Sequence, residues 1–447
     1  MKYIRQVLLM MREEKLFSAI HIAGTAMAIA FTMVMAVVYY IKLAPIYPEA
    51  NRMRTVYFDG IHVKTESYGS KTYFGYKAFQ EWFQNSPNIE YCAPTLLAAG
   101  TGKIDKSGCH DYIVKGKNEY IEVIKNLTTA DFFKIYQYDF LSGRPFTRQE
   151  VEAKEHVAVI SDALAERLFG KGVDAVGRIV KMASLALNEM RVVGVIRGAS
   201  QLTPDSYADI IMPCSIWWNL DYTGSYSIIV TVKDNEHMQA LKKELDDVSA
   251  RALKAHPEFL ETRYLKEGET PKMVLAETME THPMYALRQE NGQGSFRMLS
   301  DWYLIKHYAS ILCVLLFVPA LSLCGIVAGR MKRRSAEMAV RKTFGARRST
   351  LLNQVVWENL VLTSIGGVIG LVLSWLAIYA FRTEILGLFF DNSTMSTAPI
   401  VSGEMLFSPA IFLGAFVTIV VMNLLVTVVP TWWSLRKPIV ESMMEKR

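Results

Sequence analysis

The sequence predicts an integral membrane α-helical protein with four transmembrane helices in a 1+3 layout. A large extracytoplasmic α+β domain of two lobes is inserted between helices 1 and 2. Three observations predict it. Uncharged apolar stretches cover 16–41, 308–329, 359–381 and 405–435. A bilayer core about 30 Å thick needs roughly 20 apolar residues of helix, and each stretch reaches that length. The cations are sorted by loop, and residues 43–303 read as ordinary globular sequence. The hydrophobic content of 51% and mean hydropathy of +0.17 are therefore concentrated in the four stretches.

Residues 1–15 mix apolar side chains with Lys2, Arg5, Arg12 and Lys15. That suits either an amphipathic helix in the inner interface or a frayed start to the first span. The span itself, 16–42, outruns the ~7–15-residue core of a signal peptide and has no small-residue cleavage site before Lys42, so it is expected to stay in the membrane. In 43–303, β-rich runs fall at 54–58, 120–124, 156–160, 191–196 and 228–232. Helical patterns fall at 73–83, 129–136, 161–169 and 236–255. They interleave without the strict alternation of a doubly wound sheet, and the lobes should part near 100–120 and 215–230. Residues 298–307 run towards the second span without Gly or Pro, and 39–43 leave the first up to Pro45. Both segments read as stalks. The rest divides into a stalk end and second helix at 304–329, a cytoplasmic segment at 330–350, a third helix at 351–381, an outer loop at 382–406, a fourth helix at 407–433 and a tail at 434–447.

Charge sets the orientation, because loops rich in Lys and Arg resist translocation. Arg330, Lys332, Arg333, Arg334, Arg341, Lys342, Arg347 and Arg348 crowd the loop after the second span against Glu337 alone. Arg436, Lys437, Lys446 and Arg447 follow the fourth. The loop after the third offsets Arg382 with Glu384, Asp391 and Glu404. Both termini and the 330–350 loop are thus expected in the cytoplasm. The net charge of +6 reflects topology rather than a nucleic-acid partner.

No catalytic constellation is present. The chain has no GxxxxGK[ST] phosphate loop, GxSxG elbow, CxxC or HExxH, so neither enzyme activity nor a metal or cofactor of its own is expected. His21 is the titratable group inside the first span, where a proton relay or a side chain reaching the interface are both open. Cys313 and Cys324 sit in the second span, and Cys92, Cys109 and Cys214 lie outside it, where a Cys92–Cys109 bridge is open. Trp217 and Trp218 read as core or as an exposed contact.

The sharpest local feature is 330–358. A basic cluster precedes an apolar stripe of Met338, Val340 and Phe344. Gly345 then ends that helix, and Ser349 or Thr350 is placed to cap the next. Glu337 and Arg341, four apart, pair on one face. From the residues alone, a partner-facing helix and a solvated basic loop are equally open. Within the spans, Gly366 and Gly370 form a GxxxG, and Gly24 and Ala28 a small-xxx-small pair. Such pairs let helices approach closely, within one chain or across a dimer.

The segment around Arg333, Arg334, Glu337, Arg341, Lys342, Gly345, Ala346 and Arg347 resembles the signature of the MacB/FtsX-like permease family of ABC transporters. Gly143-Arg144-Pro145-Phe146 is similar to that family's GRxF stretch. Leu168-Phe169-Gly170 with Val176-Gly177 is similar to its LFG…VG stretch, although Asp174-Ala175 stands where a Pro is usual. Lys15-Leu16-Phe17-Ser18 with Gly24, and Pro430 with Arg436-Lys437-Pro438-Ile439-Val440-Glu441, match its opening and ending. The resemblance implies a MacB-like periplasmic core domain and a bacterial inner-membrane location. It also implies a homodimer or heterodimer served by two copies of an ABC ATPase that bind ATP and Mg as a separate polypeptide. Arg334, Glu337, Met338, Arg341, Lys342, Phe344, Gly345 and Ala346 would then form the ATPase-coupling helix, and Gly24, Ala28, Gly366 and Gly370 the helix-packing or dimer contacts. Membrane lipid surrounds the spans, and a periplasmic adaptor and outer-membrane channel are further partners it implies. The implied work is mechanotransmission for efflux or, alternatively, FtsX-like or lipoprotein-release-type regulation of a periplasmic partner.

Overall fold

Helix α1 (Lys15–Leu43) is apolar along most of its length and ends just before Pro45, which has no N–H to extend it. The structure is a computed structural model. It describes residues 11, 13, 15–66, 69–96, 109–115, 119–183, 189–217, 221–256, 270–290, 302, 303, 305, 306, 309, 310, 313, 329, 338, 340–381, 384 and 409–436. These fall into two compact units. One holds the described parts of 1–40, 305–385 and 403–447, and the other is built from 41–304.

In the first unit, Ser18–Leu43 and Arg348–Ala380 are, among the described residues, the helices long and apolar enough to cross a membrane. The second of these is α8 (Arg348–Ala380), and a further long apolar helix, α9 (Pro409–Arg436), packs against it. A buried amide helps to join them, since Asn423 Nδ2 donates to Thr363 Oγ1 at 3.4 Å. The expected second span at 308–329 and the stalk before it lie almost wholly outside the described residues.

The second unit is α+β. One four-stranded sheet has the order β15-β1-β13-β4, where β1 is Thr55–Phe58, β4 Tyr91–Thr95, β13 Ser227–Thr231 and β15 Glu280–Thr281. A second four-stranded sheet joins β12 (Thr223–Gly224), β3 (Gly69–Phe74), β2 (Ile61–Lys64) and β14 (Lys272–Met273). The seven-stranded sheet takes only the middle of the chain, β5 to β11, from His110–Val114 through β6 (Tyr120–Thr128), β7 (Phe140–Gly143), β8 (Val157–Ser161), β9 (Ile179–Lys181) and β10 (Glu189–Ile196) to β11 (Ile210–Pro213). The chain therefore leaves one group of sheets after 96 and returns by 221, close to the boundaries that composition suggests. Strand β8 is buried at every position because it pairs on both edges and is covered on both faces.

Several expected boundaries move; the helix expected at 129–136, for one, shortens to Phe132–Ile135. The helix expected at 73–83 begins at Tyr76, as α2 (Tyr76–Phe79), and continues as a π-helical turn over Gln80–Gln84. Tyr73 and Phe74 instead pair with β12, and a Cβ on Gly75 would lie 2.0 Å from the Asp221 carbonyl oxygen, so the chain turns on that glycine. Strand β6 extends past 124 to Thr128, because its second half pairs in parallel with β11, Lys125 opposite Ile210. The Cys92–Cys109 bridge does not form. Both are buried thiols outside any disulfide, Cys92 on β4 and Cys109 before β5 in a different sheet, where its Sγ donates to the Leu96 carbonyl at 3.3 Å. The side chains of Trp217 and Trp218 lie outside the described residues.

Candidate functional site

Each unit contributes one candidate. In the first unit it is the turn into α8. Gly345 adopts φ +88°, a left-handed conformation, and the Ala346 N–H donates back to the Arg341 carbonyl at 3.0 Å, which closes the preceding helical turn. Met338 is buried against Leu351 and Val355 of α8, so the expected stripe splits: Met338 anchors the segment, while Val340 and Phe344 face outward. Phe344 is 87% exposed at the tip. Arg341 donates to Gln354 Oε1 at 2.9 Å, and Gln354 donates on to the buried Glu358 at 3.0 Å, which ties the turn to the helix by a polar relay. The expected cap is corrected. Helix α8 starts at Arg348 with Arg347 at its N-cap and no side-chain cap, because Ser349 and Thr350 already lie inside the first turn. Lys342 lies in the last helical residues before the turn and Ala346 just after it, and Arg334 and Glu337 lie outside the described residues.

The helix-packing glycines are also placed. A Cβ on Gly366 would lie 2.9 Å from Thr25 Cβ, and one on Gly370 would lie 2.6 Å from the Ala26 carbonyl oxygen and 2.9 Å from Ile29 Cβ. The GxxxG of α8 therefore receives the 22–25–26–29 face of α1 of the same chain. Gly24 and Ala28 are half-buried beside that face, and His21 is buried.

The second unit holds a feature that no sequence pattern announces. Pro45 has no N–H, so the Ile41 carbonyl lacks its i+4 donor at the end of α1. Arg52 supplies one: its Nη1 donates to Ile41 at 2.7 Å and to Ala44 at 2.6 Å. His282, at the start of α7 (His282–Glu290), takes the neighbouring Lys42 carbonyl with Nε2 at 3.0 Å. A carbonyl only accepts, so Nε2 carries the proton, and Nδ1 accepts from the Tyr57 hydroxyl at 3.0 Å. Arg52 Nε is held by Glu49 at 2.8 Å, and the other Glu49 oxygen accepts from Ser206 Oγ at 2.6 Å. Tyr138 closes the same corner by donating to the Ser206 carbonyl. Asp205 accepts from the Tyr285 hydroxyl at 3.1 Å. Glu49, Arg52, Asp205, Ser206, His282, Tyr57 and Tyr285 are all buried.

Electrostatics divides the two carboxyls. Burial raises both, but the Arg52 charge and the hydrogen bonds from Arg52 and Ser206 outweigh it at Glu49 and hold that group below the usual range. Asp205 is pushed up to about 7 by burial and by Glu49, against the pull of Tyr285 and Arg52. His282 is pushed down to about 4 by burial and by Arg52, and is neutral. Ligand atoms of Glu49, Asp205 and His282 lie within 4.8 Å of one another, but the Tyr57 hydroxyl already takes the one free lone pair of His282, and the Arg52 guanidinium, held on Glu49, puts a positive charge where a cation would sit.

Residues 18–248, more than half of the chain, match the MacB-like periplasmic core domain, and residues 309–439 match the FtsX-like permease C-terminal domain. The chain belongs to the MacB/FtsX-like family of ABC transporter permeases. The uncharacterized ABC transporter permease YvrN of Bacillus subtilis is 25% identical over 345 residues, 73% of this chain and 76% of that protein. The macrolide export ATP-binding/permease protein MacB of Neisseria meningitidis is 24% identical over 270 residues. That match covers 59% of this chain and 37% of the relative, so this chain spans little more than a third of it. The periplasmic region of MacB from Actinobacillus actinomycetemcomitans aligns at 15% identity with a TM-score of 0.34, covering 51% of this chain and 91% of that one.

Within this MacB/FtsX-like permease the GRxF stretch proves structural. Gly143 (φ +71°) pairs with Gly194 across β7 and β10, and a Cβ on Gly194 would lie 2.4 Å from the Arg144 carbonyl oxygen. Arg144 then forks onto Glu150 at 2.8 and 2.7 Å. Glu150 also completes a capping box with Thr147 for α4 (Arg148–Glu152).

Proposed function

We propose that this permease works with a separate ABC ATPase, two copies of which bind ATP and Mg and serve a pair of permease chains. In this reading four spans cross the bacterial inner membrane with both termini and the 330–350 segment in the cytoplasm and the α+β domain in the periplasm. ATP turnover is felt at the turn before α8 and delivered to the outer domain as movement, so no substrate need pass between the helices. The observation that carries it is Phe344. A large apolar side chain 87% exposed beside Arg347 and Arg348, on a turn anchored by Met338, is the form of a docking knob for a protein partner. Export is the use we assign, by analogy with the meningococcal relative named for macrolide export. A periplasmic adaptor and an outer-membrane channel would be the further partners.

The test is ATPase stimulation in nanodiscs with the ABC ATPase that co-purifies with the wild-type chain. Phe344→Glu and Glu337→Lys should each abolish stimulation while membrane insertion and expression stay normal. Wild-type stimulation in both variants would sink the docking reading.

A further inference from the structure

Among the described residues that bond or act on one another in the buried joint are two carboxyls, Glu49 and Asp205, and one guanidinium, Arg52. Glu49 and Asp205 are enclosed together, and the guanidinium facing them is Arg52. His282 adds no charge near neutral pH, since burial and the Arg52 charge hold its imidazole down at about 4 while its nitrogens bond Tyr57 and the Lys42 carbonyl. Tyr57 from β1, Tyr136 from the turn after α3 (Phe132–Ile135) and Tyr285 from α7 complete the surroundings as neutral phenols. Two ionised carboxyls enclosed together repel, and one of them gives way by taking a proton. Glu49 keeps Arg52 and Ser206 as donors, whereas the donor on Asp205 is the weaker Tyr285 hydroxyl. The Tyr136 hydroxyl, in a side chain 1% exposed, meets no partner at full hydrogen-bond distance among the described residues; its nearest polar neighbour is the Tyr57 hydroxyl, so it brings no donor to Asp205.

We propose that Asp205 is a proton-binding site, and that loss of its proton draws Arg52 away from the Ile41 and Ala44 carbonyls and loosens the end of α1. The proton leaves as hydronium or to buffer, and no other bond changes. Once Asp205 is ionised, Arg52 has two carboxylates to serve and its hold on the helix end competes with both. The sign follows from the direction of the shift. Asp205 is raised in the folded chain from 3.8 to about 7, so its contribution to stability is complete below the ordinary aspartate range and is lost as pH rises through about 7. The proposal stands independently of ATPase docking.

The experiment is amide hydrogen exchange on the full-length chain in nanodiscs, corrected for intrinsic rates, across residues 41–54. Protection there should fall about tenfold between about pH 5.5 and about pH 8.5 in the wild type. Asp205→Asn should make it independent of pH, because the amide keeps a donor and cannot ionise. Glu49→Gln should shift the midpoint downward by at least about one pH unit, because the repelling charge is gone. Infrared titration of the wild type, which needs no variant to fold, should show a buried protonated carboxyl disappearing around neutral pH. A flat wild-type exchange profile, an Asp205→Asn profile equal to wild type, or a carboxyl band already lost below about pH 5 overturns the proposal.

Discussion

Arg52 caps the Ile41 carbonyl at 2.7 Å while Glu49 grips its Nε at 2.8 Å, so one guanidinium both ends α1 and neutralises a fully buried acid. Breaking a buried pair by removing one partner typically costs about 3–5 kcal/mol. Arg52→Ala should destabilise the chain by that amount, since it strands Glu49 and two carbonyls. Arg52→Lys keeps the charge but not the fork, and its ammonium cannot reach Glu49 and both carbonyls together. It should lose roughly half as much. Denaturant unfolding of the detergent-solubilised chain, followed by near-UV circular dichroism, measures both. A loss under about 1 kcal/mol for Arg52→Ala would show that the cap is decorative.

The seam between α1 and α8 makes a steric prediction. Gly370→Val places a Cβ 2.6 Å from the Ala26 carbonyl oxygen and 2.9 Å from Ile29 Cβ, and neither backbone oxygen nor branched carbon can swing away. Overpacking of this kind costs about 1–3 kcal/mol, and Gly366→Val should behave alike against Thr25. Gly414→Ala in α9 meets nothing within 4 Å and should be neutral or slightly stabilising. Thermal unfolding in one detergent compares the three. A Gly370→Val midpoint equal to that of Gly414→Ala would refute the seam.

Much of the outer domain was legible because it depends on local pattern. The runs at 156–160, 161–169 and 236–255 became β8, α5 (Asp162–Phe169) and α6 (Asn235–Ala255) within a residue at either end. The reason is visible in their caps: Ser161 accepts from the Leu164 N–H, and Asp234 from the His237 N–H. The turn at Gly345 was readable for the same reason, whereas the cap assigned to Ser349 or Thr350 failed because both lie inside the first turn of α8. The joint was not legible. Glu49 and Arg52 are a visible i,i+3 pair, but Ser206 lies 157 residues from Glu49 and His282 lies 240 from Lys42. No periodicity carries information over such separations. Pro45 was the available signal: a proline soon after a helix end announces an orphan carbonyl, though not what satisfies it.

Acid stability should depend on Glu150. The Arg144 fork, with help from the Thr147 N–H and hydroxyl, holds its carboxyl at about 2, against an ordinary value of 4.5. A depressed carboxyl contributes stability that is fully present above its unfolded value and is lost as pH falls through the folded one. The wild-type chain should therefore lose stability progressively from pH 4.5 towards about 2, and Glu150→Gln should be less stable near neutrality but show a shallower loss over that window. Thermal midpoints of the two proteins across that range decide the matter. Parallel curves would mean the pair contributes nothing that titrates.

Gly345 separates backbone conformation from packing. Its φ of +88° is costly for residues with a Cβ, yet a Cβ there would meet nothing within 4 Å. Substitution should therefore act through the backbone alone. Gly345→Asn tolerates left-handed φ best and should cost a few tenths of a kcal/mol, Gly345→Ala about 1 kcal/mol, and Gly345→Val more still. The same order should appear in stimulation of the partner ATPase, because a relaxed turn would swing Phe344 away from where Met338, Leu351 and Val355 hold its base. If stability follows this order while stimulation is equal in all three, the turn is a structural corner and the docking knob lies elsewhere. If Gly345→Leu proves no worse than Gly345→Asn in both readouts, the left-handed turn itself is not required.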